Sequence, residues 1–426
     1  MLDVAIIGAG AAGLGAAKAA AERGLSFRLL EAASFVGGRA RTNTTRLGVP
    51  FDLGCRSLYG GSDNPFLEFA RETGSRLGPS PGNTAFHDGL QFLNAEQTRA
   101  GLTAFEQFDS DLSDAHEKWC SDSSPPDRCQ ADAIDPSHPF ARYFLQSLQV
   151  EHAAAAADVS IADPVHRLGG EGEEVLDGYG ALILRAAGDV PVSLDCPVAA
   201  IDLSGPHVAL ETPKGRIDCR TVVLTVSTAV LAAERIALRP SGWPNRKLAA
   251  IEAVPTGSNT KIGFRLKPGA LSALPSRGSG DEPCASHVFA LRKEPENLLW
   301  VLGVGEGDVA IAYLGGPFSR DLALAGEQTQ TDWAMQRLSE LLGSSIRDSV
   351  IATCATPFDR EPWIDGGYSY CRYRAGNQRA ALAEPIEARV FFAGEACSQD
   401  HPATAHGAWL SGGAAIACIA DTRAAR

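Results

Sequence analysis

The sequence predicts an α/β protein in which a doubly wound, Rossmann-like nucleotide-binding domain is interleaved with an α+β domain, a mixed sheet flanked by helices. Three observations carry this reading. Residues 4–42 hold a strand, a glycine turn, a helix and a second strand in immediate succession. A buried-strand run, TVVLTV, lies near the middle of the chain at 221–226. Near the C-terminus, residues 390–415 give a further strand, a Gly394-Glu395 turn and a helix beginning near His406.

The first element is the apolar run Val4 to Ile7. The turn after it carries Gly8, Gly10 and Gly13, and an alanine-rich helix runs from Ala11 to Arg23. A second β run, Ser26 to Leu30, ends on Glu31. This is the G-x-G-x-x-G fingerprint in its required βαβ context. The first glycine allows the sharp turn, the second lets backbone approach a pyrophosphate, and the third packs helix on strand. The helix N-terminus offers N–H groups and a positive dipole end to phosphates. Glu31 falls where an acid accepts both ribose hydroxyls. An acid there suits an unphosphorylated ribose, and so NAD or FAD rather than NADP.

Gly37-Gly38-Arg39 follows, with Arg41 and Thr42, then Val49-Pro50-Phe51-Asp52-Leu53, Gly54 and Tyr59-Gly60. Here the sequence resembles the flavin-containing amine oxidase family, which includes monoamine and polyamine oxidases. The resemblance continues through EEVLDGYGALILR at 173–185 and Val198, then LAAIEAVPTGSNTKIGFRL at 248–266 and VFFAGEACSQDHPATAHGAWLSGGAA at 390–415. It implies noncovalent FAD, because the family's covalent cysteine position, where it exists, falls on Tyr368. The implied cofactor contacts begin with Gly8, Gly10, Ala11, Ala12 and Gly13. Glu31, Ala32, Gly38 and Arg39 follow, Arg39 with a guanidinium fork suited to a diphosphate. Gly54, Cys55 and Arg56 come next, and then Val198 at the adenine. Gly394, Glu395, Thr404, Ala405, His406 and Ala408 complete the set along the ribityl chain and ring.

The same resemblance makes Lys261 the flavin-facing lysine, which assists reaction of the reduced cofactor with dioxygen. It suggests Trp363, Tyr368 and Tyr370 for one aromatic wall of the substrate pocket, and puts Thr404 where monoamine oxidases have tyrosine. Arg56 stands where the family usually has a small residue, so it could pair with a substrate carboxylate as in amino-acid oxidases. A structural ion pair is the competing reading.

Composition sets limits. A chain this long suits two domains. The net charge of −13 opposes nucleic acid as a partner and mildly favours approach of a cationic amine. The ten cysteines form no C-x-x-C pair, so neither a zinc site nor a redox motif is expected. His87, His152, His166 and His287 show no metal-ligand spacing. No run reaches the roughly 20 apolar residues of a membrane span. The N-terminal apolar run lacks a basic leader and serves as the first strand. A cytoplasmic enzyme results from this reading, with a homodimer implied by the family.

Residues 1–75, 178–245 and 372–426 are assigned to the FAD domain, and 76–177 and 246–371 to the substrate domain. In the first insertion, segments 65–74, 101–119 and 139–156 show helical periodicity, with a Ser/Pro/Asp-rich loop at 121–137. In the second, 298–316 carries two β runs around a Gly-Glu-Gly-Asp turn, and 330–343 is an amphipathic helix. Residues 192–210 alternate as a hairpin would. The expected activity is oxidation of an amine C–N bond to an imine, with dioxygen giving hydrogen peroxide. A protoporphyrinogen-oxidase-like desaturase, an amino-acid oxidase and a flavin-bearing interaction protein are the alternatives.

Overall fold

The computed structural model describes residues 1–80, 83–121, 126–163, 172–271, 286–291, 296, 298–304 and 308–424. His166, Cys284, part of the 121–137 loop and most of the 305–308 turn lie outside the described residues.

Strand Leu2–Ile7, helix Ala11–Glu22 and strand Phe27–Leu30 form the βαβ unit. Leu2–Ile7 pairs in parallel with Phe27–Leu30 on one side and with the second half of strand Gly215–Leu224 on the other. Strand Val390–Phe392 adds in parallel beside Val222 to Leu224. Both ends of the chain and its middle therefore meet in one sheet. Its strands are apolar on both faces because both faces are covered. Val4, Ile6, Val223 and Phe391 pack against helices Ala11–Glu22, Tyr179–Ala187 and Ala405–Ala424. Ala5, Ile7, Val222, Leu224 and Phe392 alternate to the other face and meet Leu231, Ile251 and Leu382.

The first half of Gly215–Leu224 pairs antiparallel with Val208–Thr212, which pairs with Ala200–Asp202. This corrects the hairpin expected over 192–210. Val192–Ser193 instead lies beside Phe27–Leu30, and only the residues from Ala200 onward form the hairpin. Two breaks separate them: Asp195 takes a left-handed φ of 49°, and Pro197 has no N–H to donate to a ladder.

A second sheet has the order Val350–Ala355, Asn259–Leu266, Val309–Gly315, Leu299–Leu302, Ser286–Ala290, Asn83–His87. All its pairs are antiparallel except the last. Along Asn259–Leu266, residues Ile262, Phe264 and Leu266 face helices Gly316–Leu324 and Glu327–Leu342, through Leu322, Ala334 and Leu338. Asn259 and Lys261 alternate to the opposite face, the one that meets the first sheet's domain. Helices Ala95–Ser121 and Ala141–His152 pack through Phe108, Leu112, Phe144 and Leu148. Among the described residues, no helix is long and apolar enough to cross a membrane.

The first and last helices touch backbone to backbone. A Cβ on Gly412 would lie 2.0 Å from the Ala12 carbonyl oxygen, and one on Gly15 would lie 2.5 Å from that of Trp409. A Cβ on the adjacent Gly413 would meet nothing within 4 Å. Gly412→Ala should therefore destabilise the protein by about 1–3 kcal/mol through overpacking and weaken cofactor retention. Gly413→Ala should be neutral or stabilising by about 0.5–1 kcal/mol, because glycine is costly inside a helix. Denaturant unfolding of the two variants checks the contrast.

Candidate active site

A cavity of about 570 Å³ runs between the two sheets, a size typical of ligand sites. At one end it is lined by Glu31, Ala32, Cys196 and Val198. Gly8, Gly10, Ala11, Ala12, Gly38 and Arg39 line its middle, facing Gly394, Glu395, Ala405, His406 and Ala408. At the other end stand Gly54, Cys55, Arg56, Lys261, Trp363, Tyr368 and Thr404, with Tyr59, His287, Leu299, Val301 and Tyr313. Residues expected from segments far apart in sequence thus line one cavity. Gly13 and Tyr370 do not line it. Gly13 packs helix on turn instead: a Cβ there would sit 1.8 Å from the Gly8 carbonyl oxygen. Tyr370 donates its backbone N–H to the Pro255 carbonyl (3.1 Å) and takes a place beside the pocket, not in it.

The nucleotide end is built for a diphosphate and a ribose. No side chain caps the N-terminus of helix Ala11–Glu22, so its first N–H groups are left to the cavity. Glu31 accepts the N–H of Ala9 (2.7 Å) and of Ala33 (2.8 Å). Burial raises its pKa, against the pull of those backbone donors. Each oxygen keeps a further lone pair for a hydroxyl. Arg39 donates through Nη1 to the Gly367 carbonyl (2.6 Å) and to Glu395 (2.8 Å).

At the other end, Lys261 is buried and lies opposite Tyr313 in the ladder, its Nζ 5.3 Å from the tyrosine ring. Nζ donates to the carbonyls of Asp52 (3.3 Å) and Gly54. Burial, and then the Arg56 guanidinium, push its pKa down to about 8, against the pull of Asp52, Cys55 and Glu174. Asp52 is itself buried; its carboxylate accepts from Thr42 and from the N–H groups of Tyr179 (2.8 Å) and Gly180 (3.1 Å), opening helix Tyr179–Ala187. Burial raises the Asp52 pKa against those donors.

Arg56 forms an ion pair with Glu174 (2.6 Å), Glu174 buried and Arg56 mostly so, and its Cζ lies 5.9 Å from the Tyr313 ring. Its charge is met inside the protein. Tyr368 gives its hydroxyl proton to the Val150 carbonyl (2.5 Å) and accepts from Asn259 (3.1 Å), so the ring remains as wall. Thr404 accepts the Gly407 N–H (3.0 Å) and donates to His401 (2.8 Å), the cap of helix Ala405–Ala424.

Tyr313 and Glu174 were not singled out from the sequence. Tyr313 lies in a run correctly expected to be a strand, and its alternation with Val309 and Ile311 was the available signal. Nothing local to Glu174 announces its pairing with Arg56.

A dinucleotide cradle thus opens onto a buried lysine. The chain belongs to the flavin containing amine oxidoreductase family, whose model matches residues 11–420. It is 26% identical over 443 residues to lysine-specific histone demethylase 1 homolog 2 of Oryza sativa subsp. japonica, covering 96% of this chain and 56% of that protein. It is 24% identical over 447 residues to lysine-specific histone demethylase 2 of Homo sapiens, covering 96% and 52%. Against probable polyamine oxidase 4 of Arabidopsis thaliana it is 23% identical over 441 residues, covering 96% and 85%. The chain thus spans about half the length of the histone demethylases it matches. The solved structure of cyclohexylamine oxidase from Brevibacterium oxydans IH-35A has the same fold, with a TM-score of 0.80, 22% identity and 99% of each chain covered.

FAD, held noncovalently, is the cofactor. The cavity fits it, from the uncapped helix and ribose-facing acid at one end to the lysine at the other. Burial raises the pKa of Cys55 on the cavity wall, and Cys397, pushed up to about 12, lies off that wall. Glu31→Ala leaves the N–H groups of Ala9 and Ala33 without their acceptor and removes the ribose partner. It should weaken FAD binding by about tenfold or more. Tyr370→Phe should leave binding unchanged. The ratio of flavin to protein absorbance after gel filtration checks both.

Proposed function

We propose that this protein oxidises an amine C–N bond to an imine, which water converts to an aldehyde or ketone, and that dioxygen is the electron acceptor. The observation that carries the reading is Lys261, buried and facing Tyr313 at the inner end of an otherwise largely apolar pocket. Polyamine oxidase and cyclohexylamine oxidase among its relatives are, by name, oxidases of amines.

When bound, FAD would supply the acceptor for the two electrons lost from the substrate C–N unit. The chain supplies the rest. Leu299, Val301, Tyr313 and the ring of Tyr368 exclude water, which disfavours the ammonium and favours the neutral amine that can lose a hydride. Lys261 is protonated below about pH 8 and offers a proton at Nζ when oxygen is reduced to peroxide. The carbonyls of Asp52 and Gly54 fix that nitrogen in place.

The pairing of Arg56 with Glu174 supports an amine over an amino acid, because recognition of a carboxylate would have to break a buried ion pair. The overall negative charge supports the same choice by attracting cationic amines.

Lys261→Met should slow reoxidation of the reduced enzyme on the order of 10²-fold while FAD binding stays near wild type. The wild-type rate should fall as pH rises through about 8, and the variant's should not. Stopped-flow mixing with oxygen measures both. Anaerobic mixing with benzylamine, cyclohexylamine, spermidine and an L-amino acid tests the substrate class. Bleaching of the flavin band by an amine is expected, and bleaching by the amino acid alone would refute the reading.

A further inference from the structure

A line of buried polar groups runs from the helical insertion to the glycine loop at the phosphates. It starts at Asp163, which accepts the Cys371 N–H (2.8 Å) and pairs with Arg379 (2.9 Å). Both side chains are almost fully buried, Asp163 at 2% and Arg379 at 1% exposure. Arg379 donates through its other terminal nitrogen to the Ser369 hydroxyl (2.7 Å). Ser369 in turn gives its hydroxyl proton to Glu395 (2.6 Å), and its backbone N–H reaches the same carboxylate (3.2 Å). Ala403 N–H binds it from a third direction (3.1 Å). The last link is Arg39, whose Nη1 meets Glu395 at 2.8 Å.

Only the last two members, Glu395 and Arg39, line the cavity; Asp163, Ser369 and Arg379 stand behind them. A hydroxyl with one proton can pass order in one direction only: it accepts from Arg379 and donates to Glu395. Burial raises the Glu395 pKa, but Arg39 and then Arg379 outweigh that and leave it lowered. Without Arg379 the carboxylate would lose its second cation, and the serine its donor. Buried ion pairs are weak evidence for stability, since their desolvation cost rivals their attraction. Their better use is to fix geometry. The group fixed here is the Arg39 guanidinium on the cavity wall.

We propose that Arg379 is a positioning residue for FAD: anchored by Asp163, it holds Glu395 through Ser369, and Glu395 holds Arg39 toward the diphosphate. Cofactor affinity then depends on a pair of residues that never touch the cofactor. The helical insertion, through Asp163, is thereby tied to the glycine loop.

A double-mutant cycle tests this. FAD is titrated into apoprotein of wild type, Arg39→Met, Arg379→Met and the double variant, with FAD fluorescence quenching as the readout. Each single variant should bind about tenfold more weakly, the loss of one charge-assisted hydrogen bond. The double variant should bind within about twofold of Arg39→Met alone, because both act through one contact. A merely structural role for Arg379 would give multiplying losses in the double variant, and that result overturns the proposal. So does unchanged affinity in Arg379→Met. If Arg379→Met fails to fold, the same cycle with Ser369→Ala breaks the line at its middle, with the same two outcomes deciding.

Discussion

The site depends on one contact, that of two alanine- and glycine-rich helices from opposite ends of the chain. Helix Ala11–Glu22 brings the uncapped N-terminus and the glycine turn. Helix Ala405–Ala424 follows the Gly394-Glu395 turn. Gly15 and Gly412 let the two backbones meet, and larger side chains would hold them apart. Phe66 closes the edge, its ring 5.2 Å from Trp409 and 5.6 Å from Tyr179. Closing a loop of nearly the whole chain costs only slightly more entropy than closing a short one. The buried apolar area around these helices repays that cost.

The second sheet brings the chemistry to that cradle. Because side chains alternate, one face of Asn259–Leu266 can pack Ile262, Phe264 and Leu266 against helices while the other carries Lys261. A buried cation needs compensation. Two carbonyls accept from it, and the Asp52 and Glu174 carboxylates lie close enough to pull its proton affinity back up. Arg56 acts against them. The balance leaves a lysine whose pKa is pushed down to about 8, which suits the proton-donating role proposed for it. Under the proposed function, the same burial that lowers the lysine's pKa would also favour an uncharged amine beside it.

The cradle was legible in the sequence because its signals are local. A glycine turn, a helix and a terminal acid lie within a single βαβ unit, and each residue type has a geometric reason to be there. Lys261 was legible only through the resemblance, since a lysine in a strand carries no mark of its own. Arg56 was ambiguous because the residue that decides its role, Glu174, enters from strand Glu173–Val175, far along the chain. Thr404 was placed on the substrate wall by its position in the motif. The structure has it both lining the cavity and capping the helix behind it, a role that its place just before Ala405 could have announced. The Asp163–Arg379 pair was out of reach, because side-chain networks join residues that sequence spacing keeps apart. Alternation over 192–210 does not make one hairpin, because Asp195 and Pro197 break it into two strands with different partners.

Backbone hydrogen exchange of the apoprotein, with and without added FAD, asks most directly whether one cofactor gathers the three distant parts of the chain. Protection should rise together at the start of helix Ala11–Glu22, around Lys261 and from Gly394 to Ala408. Protection confined to the N-terminal βαβ unit, with the lysine strand and the C-terminal turn unchanged, would contradict the account.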